Sequence, residues 1–444
     1  MTSINFRKNF EKSGKLDLLE NYRGEVRKNE PLVRQLINFI ILCKGWFIAV
    51  VGVACAVLVG LITIPLLFEK YLGFEFTKLI NALAPLVVIL AFIPVNALFL
   101  VLFERRFLAL LTTRLGPNRV GPNGFLQTIA DALKLLFKED TTPATSDKIL
   151  FTLAPALFFF PSVMVFLPIL SVVGGGVGVF EKINFASSLL FVFGISSMSV
   201  ISLLMAGWAS NNKYSILGGL RSAAQAISYE IPLILSLVAL VILTGSLNLK
   251  TISLAQEGGF FDWNIFGAGV LSKVNWSSIT SIISALMSFV LMPVLAFIIF
   301  FCSLAESNRT PFDLPEAESE LVSGFNTEYS GIKFALFFLA EYTNLFLAGV
   351  LMSLIFFGGP FIGIPALDQA LKGLLESTPL GNVSWLPYFI LVLFKAYLFV
   401  ALAVWLRATL PRFRSDQLMQ LAWKTLIPVC LVVILLSALV KVLA

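Results

Sequence analysis

The chain has 444 residues, 58% of them hydrophobic and 13% charged, and a mean hydropathy of +0.91, which is too apolar for a soluble domain of that size. It reads as an all-α integral membrane protein, and its formal charge of +6 is spread over loops, which fits a cytoplasmic membrane surface and excludes a nucleic-acid-binding domain. There is no histidine, and Cys43, Cys55, Cys302 and Cys430 are too scattered for a cluster or zinc motif, so redox centres are expected only in partners.

Residues 1–45 carry nine Lys or Arg and five Asp or Glu and are expected to form a charged cytoplasmic segment. The charged part is too long for a signal peptide, and the apolar run that follows, Trp46 to Leu67, is of full spanning length. Residues 46–82 are therefore expected to supply an N-terminal transmembrane helix and an outer loop. Further runs at about 83–103, 149–171, 186–207, 231–247, 279–304, 334–358, 386–406 and 425–443 bring the expected number of spans to nine.

With the N-terminus inside, the inner segments hold 24 Lys or Arg and the outer ones 7, while Lys395 lies within a span. That asymmetry places the loops 104–148, 208–230, 305–333 and 407–424 on the cytoplasmic side and the C-terminus outside. The first loop opens on Glu104-Arg105-Arg106 and runs through Arg114 and Arg119 in a stretch of Gly-Pro turns. Phe125, Ile129, Leu133, Leu136 and Phe137 then recur at helical spacing, with Gln127, Asp131, Lys134 and Lys138 on the other side. This pattern predicts an amphipathic surface helix of about four turns.

In the second loop Arg221, Gln225 and Tyr229 share a helical face, and Glu230 enters the next span. Glu341 and Lys395 lie deeper in their spans, where an ionisable group is costly and so a functional candidate; with Glu230 they are expected to form a buried polar path, the alternative being a structural salt bridge between Glu341 and Lys395. The stretch from Glu306 to Lys333 is the acidic centre of the chain. It holds Glu306, Asp313, Glu316, Glu318, Glu320 and Glu328 against only Arg309 and Lys333. Pro311 and Pro315 forbid a regular helix at its start, while Pro315 is well placed to open one. Crowded carboxylates beside a membrane repel one another, which favours holding protons near neutral pH; the alternative is a solvated acidic loop.

In chain order, Glu104-Arg-Arg, Gly116-Pro-Asn-Arg-Val-Gly, Phe137-Lys-Glu-Asp, Ser210-Asn-Asn-Lys-Tyr-Ser, Ser228-Tyr-Glu, Arg309-Thr-Pro-Phe-Asp-Leu-Pro-Glu-Ala-Glu and Thr327-Glu-Tyr-Ser-Gly resemble the H-type membrane subunit of respiratory complex I, the NADH:quinone oxidoreductase. The resemblance covers about residue 83 to the C-terminus, so 83–444 would be the family's membrane domain and residues 1–82 an addition to it. It implies eight spans, a surface helix in the first loop, and the membrane part of a quinone chamber in a bacterial cell inner membrane. Quinone would be the substrate, FMN and iron–sulfur clusters would sit in partner subunits, and this chain would hold no redox centre.

The partners so implied are soluble quinone-module subunits on the cytoplasmic face, and small and antiporter-like subunits in the membrane. The resemblance further implies that Arg105, Arg106, Arg114, Phe125 and Asp131 belong to the quinone chamber. Glu230, Asp313, Glu316, Glu318, Glu320, Glu328, Glu341 and Lys395 would relay protons, with Glu104, Arg119, Arg221, Arg309 and Tyr329 in structural or coupling roles. The equivalent subunit of a related membrane-bound hydrogenase is the alternative, which hydrogen evolution in place of quinone reduction would identify. An independent secondary transporter would show internal repeats, and the two halves of this chain are not self-similar.

Overall fold

The computed structural model describes residues 74–121, 124–173, 185–267, 278–314, 322–369 and 386–443. The expected first span, Trp46 to Leu67, and the charged segment before it lie outside the described residues, as do Glu316, Glu318, Glu320 and the helix expected from Pro315. Among the described residues every regular element is helical and eight helical stretches are long and apolar enough to cross a membrane. They coincide with the eight runs from about 83 onwards. Helix is the form that satisfies every backbone polar group within one apolar segment.

The first described helix, α1 (Phe74–Leu111), is followed by the turn-rich segment 112–126 and the short α2 (Gln127–Phe137). α2 is amphipathic as expected but has 11 residues, three turns instead of four, because the backbone turns extended at Lys138. Its Leu133, Leu136 and Phe137 are exposed, Phe137 at 87%. The next span is made of α3 (Lys148–Met164) and α4 (Phe166–Val173), and it breaks after Pro161. α5 (Ser188–Ser196) and α6 (Met198–Ala209) form the one after, joined at Ser197.

α7 (Lys213–Thr244) corrects one expectation. Its 32 residues take in nearly all of the loop expected at 208–230, so that only a turn at Ser210–Asn212 separates it from α6. Asn212 caps it by accepting from Tyr214 N–H at 3.1 Å, and Gly245, at φ 72°, ends it in the left-handed conformation. At about 1.5 Å per residue α7 is some 48 Å long, well over a hydrocarbon thickness of about 30 Å. Its first turns therefore project beyond the apolar layer, and there a Cβ on Gly218 would lie 2.6 Å from Gly324 Cα. The missing side chain lets the acidic stretch lie directly on the helix at Gly324.

α7 packs against α6, α9 (Ile279–Glu306) and the last span, while α10 (Gly331–Phe356) packs against α3 and α11 (Leu386–Thr409). α8 (Leu249–Leu254) is a short helix after α7. The last span joins α12 (Ser415–Gln420) and α13 (Ile427–Leu443) through a π-helical turn at Leu421–Leu426. The described parts of the connections, 112–121, 124–126, 210–212, 307–314, 322–330 and 410–414, lie at one end of the bundle, the motif-bearing face.

At the opposite end α10 is finished by side chains from elsewhere. Gln256 Nε2 donates to Leu354 O at 2.9 Å and Asn264 Nδ2 to Ile355 O at 2.6 Å. Lys395 Nζ donates to the carbonyls of Phe357, Gly359 and Phe361 at 2.6, 3.0 and 2.6 Å. These donors take up carbonyls that a helix end leaves without partners.

Candidate functional site: a buried charge cluster and an arginine-lined cavity

Glu104 sits near the end of α1 on the motif-bearing face with its side chain 6% exposed, and Glu341, inside α10, is 4% exposed. Two carboxylates so far from water need cations and donors close by. Arg309, from the segment after α9, lies between them, with Nη1 3.9 Å from Glu104 Oε2 and Nη2 3.8 Å from Glu341 Oε2. Its guanidinium stacks over the Tyr342 ring at 4.0 Å. Arg407, near the end of α11, pairs with the other Glu104 oxygen. Four elements thus converge on two acids and two bases. The Arg309 separations exceed direct hydrogen-bond length, leaving it in ion-pair range of both carboxylates at once.

Arg309 is held in place by the turn around it. Gln225 on α7, 1% exposed, donates to Ala305 O at 2.9 Å and to Phe312 O at 2.7 Å, so α7 grips the chain on both sides of Arg309. Phe312 is buried against Tyr229 and Phe301. Asp313 is paired with Arg412 at 3.0 Å. Glu328 accepts from Asn212 Nδ2 at 2.6 Å, and Lys333 joins Asp140 at 3.1 Å. Tyr329 stacks on Phe151 at a centroid distance of 4.2 Å, and burial pushes its phenol above the usual range.

Glu230 on α7 is half-buried, and its charge interacts with that of Glu306 at the end of α9. Glu306 lines a cavity of about 20 Å³ with Ser196, Ser303 and Asn344, room for a single water. That cavity reaches Leu351 on α10, far along the helix from its start at Gly331. Sequence alone gives Glu306 no role beyond its place in the acidic run and treats Arg407 only as a loop charge. An ionisable residue on the last turn of an apolar helix is the signal that marks both.

Lys395 does not join this carboxylate chain. Its ammonium is spent on three carbonyls at the opposite end of α10 and lies 4.6 Å from the Trp263 ring, while Glu341 pairs with Arg309. Of the path expected from Glu230 through Glu341 to Lys395, the structure thus brings Glu341 to Arg309 and Lys395 to the carbonyls beyond the end of α10. Glu341 lies ten residues into α10, whereas Lys395 reaches the carbonyls just past its C-terminus.

Beside the cluster, Arg105, Leu115, Gly116, Pro117, Asn118, Arg119 and Gln127 line a cavity of about 630 Å³. Arg105 pairs with Asp131 of α2 at 2.5 Å, and Gln127 donates to the same carboxylate at 3.2 Å. Arg106 turns the other way and donates to Pro117 O at 3.1 Å, which shapes the Gly-Pro turn. Arg114 is exposed and outside the cavity lining, whereas Arg119, expected to be structural, is part of it. Phe125 packs half-buried against the core, and Arg221 is half-buried on α7. Among the described residues no three His, Cys, Asp or Glu come together as metal ligands, and Cys302 and Cys430 are buried on different helices.

The model of the family described as NADH dehydrogenase matches residues 84–438. The H-type subunit of the NADH-quinone oxidoreductase of Brevibacillus brevis is 43% identical over 368 residues, 82% of this chain and 92% of that protein. The proteins of the same name from Vesicomyosocius okutanii and Geobacillus thermodenitrificans are 40% and 41% identical, covering 82% and 80% of this chain and 96% and 92% of their own length. With a multi-helix membrane bundle, a matching family model over most of its length and relatives of this similarity, the chain belongs to the NADH dehydrogenase family of membrane subunits, among the H-type subunits of NADH-quinone oxidoreductase.

Proposed function

We propose that this chain forms the membrane part of the quinone-binding chamber of a proton-pumping NADH:quinone oxidoreductase and passes the energy of quinone reduction to proton translocation. The observation that carries the reading is the adjacency of two sites. The arginine-lined cavity and the buried cluster are joined by consecutive residues, Arg105 facing Asp131 and Glu104 facing Arg309 and Arg407. A quinone headgroup needs fixed donors at its carbonyl oxygens, and Arg105, Arg119 and Gln127 supply them at the cavity wall. The isoprenoid tail needs an apolar path, for which Phe125 and the core beneath α2 serve.

In this reading a charge change at the headgroup alters the Arg105–Asp131 pair and shifts the field at Glu104, one residue away. Arg309 shares its charge between Glu104 and Glu341, so a change at one carboxylate is felt by the other. Asp313, Glu328, Glu230 and Glu306 extend the acidic path on the same side of the bundle, and Glu316, Glu318 and Glu320 belong to the same acidic stretch. The motif-bearing face is cytoplasmic, in keeping with 24 basic residues inside against 7 outside, and the membrane is the bacterial inner one. FMN and the iron–sulfur clusters belong to partner subunits on that face, since this chain has no histidine and only four scattered cysteines. Small and antiporter-like subunits are its partners within the membrane.

The test is the triple change Glu316→Gln, Glu318→Gln and Glu320→Gln in the assembled complex. NADH oxidation with an artificial acceptor stays normal, and quinone-coupled proton pumping in vesicles falls by tenfold or more. Normal pumping in that variant overturns the coupling role of the acidic stretch. Hydrogen evolution in place of quinone reduction by the purified complex would instead assign the chain to the hydrogenase relatives.

A further inference from the structure

Two of the sequence motifs, Phe137-Lys-Glu-Asp and Thr327-Glu-Tyr-Ser-Gly, meet where the chain leaves α2 and enters α10. The Ser330 hydroxyl is the centre of the contact. It donates to Glu139 O at 3.3 Å and accepts from Thr141 N–H at 3.0 Å. The Thr141 hydroxyl lies 2.9 Å away and is the donor of that pair, since the Ser330 proton is already given to Glu139. Asp140 pairs with Lys333 at 3.1 Å, and Lys333 sits over the Phe151 ring at 4.9 Å. Gly331 completes the clamp. Its φ of 56° is left-handed, and a Cβ there would lie 3.0 Å from Lys138 O, so the chain leaving α2 lies directly on the start of α10.

α2 has little else to fix it. Thr128 is the one buried residue among its 11, and the helix rests on α1 and α10. Its C-terminal end passes at once, through the extended Lys138, into the clamp. A short helix moves as a rod, and Asp131 lies about 10 Å from Lys138 along the axis at about 1.5 Å per residue. Release of the clamp therefore tilts α2 and shifts both Gln127, in the cavity wall, and Asp131, the partner of Arg105.

We infer, on the reading of the cavity as a quinone chamber, that Ser330 and Thr141 are positioning residues for it. By clamping the end of α2 to the start of α10 they set where Gln127 and the Arg105–Asp131 pair stand, and so how tightly a quinone headgroup is held. Neither residue lines the cavity, so both act through α2. Loss of positioning that weakens ground-state and transition-state binding alike is read in KM and leaves kcat unchanged.

The purified complex tests this with a short-chain quinone. Ser330→Ala raises the KM about fivefold, the scale of one or two lost hydrogen bonds, with kcat and the amount of assembled complex unchanged. Ser330→Thr, which keeps the oxygen on an already extended backbone, has the native KM. In a background without the native cysteines, Thr141→Cys/Ser330→Cys replaces the clamp by a disulfide, its closure followed by loss of thiol labelling. The oxidised form has the KM of that background, and reduction with dithiothreitol raises it about fivefold, a change the background itself does not show. A native KM in Ser330→Ala, a loss confined to kcat or to assembly, or a KM that ignores reduction of the closed disulfide overturns the inference. Arg105→Lys, measured alongside, keeps the two readings apart. If it raises the KM while the clamp variants do not, the clamp role alone fails; if it too leaves the KM unchanged, the cavity is not the headgroup site.

Discussion

Arg309 shows how much one side chain decides here. A guanidinium is a planar fork that reaches two acceptors while stacking on a ring, and Arg309 does so with Glu104, Glu341 and Tyr342. An ammonium is a compact point charge and cannot span carboxylates 3.9 and 3.8 Å away on either side while covering the Tyr342 ring. Arg309→Lys is therefore expected to weaken the cluster by about 3 kcal/mol, the scale of losing one partner of a buried pair. The purified complex should lose heat resistance and quinone reductase activity together, measured as residual activity after graded heating. Unchanged heat resistance would show that Arg309 holds nothing together.

Arg105 and Arg114 were both expected in the quinone chamber, yet only Arg105 lines the cavity. Arg105→Lys is expected to raise the KM for a short-chain quinone several-fold at an unchanged amount of assembled complex, because lysine cannot hold Asp131 and a quinone carbonyl with one fixed geometry. Arg114→Lys, at an exposed position, should leave the KM within about twofold, since exposed substitutions rarely exceed about 0.5 kcal/mol. Kinetics on membranes normalised for flavin content separate the two variants. Equal effects would move the headgroup site away from the Arg105 cavity.

On the scale of elements, α10 links the two ends of the molecule. Near its middle it carries Glu341 against Arg309, and at its C-terminal end its carbonyls are finished by Gln256, Asn264 and Lys395. A buried carbonyl that loses its donor costs about 1–3 kcal/mol, and Lys395→Met strips donors from three. The variant should assemble poorly, while protons pumped per NADH in the complexes that do assemble stay unchanged. A complex that assembles fully and reduces quinone without pumping would restore Lys395 to the proton path. α7 illustrates the opposite economy: its long run of small residues at Gly218, Gly219, Ser222 and Ala223 lets neighbours approach its backbone where larger side chains would hold them off.

For the whole molecule, the orientation is the most exposed inference, because it rests on charge alone. Labelling from the two sides of the membrane checks it. In a background without the native cysteines, Val120→Cys, on the motif-bearing face, should react from the cytoplasm, and Phe261→Cys, on the opposite face and 69% exposed, only from outside. Reversed labelling would invert the map and, with it, the side proposed for the redox partners.

Hydropathy and segment length were enough to find the eight described spans, since an apolar run long enough to cross a bilayer has little choice but to be a helix. They could not find where α7 begins, because Ser215, Gly218, Gly219 and Ser222 look like a loop by composition and become helix only where α6 and the 322–330 segment pack against them. Motifs placed Arg105, Glu104 and Arg309 near one face, through a resemblance that the family match and the relatives then established. Which acid meets which base was not written locally. Glu104, Arg309, Glu341 and Arg407 come from four separate parts of the chain, and their meeting depends on helix rotation and relative depth. Glu341 and Lys395 are both charges deep in spans; tertiary structure gave Glu341, midway along α10, the guanidinium of Arg309 and gave Lys395 the carbonyls past the end of that helix, since a charge in an apolar layer takes the partner within reach of its own helix face.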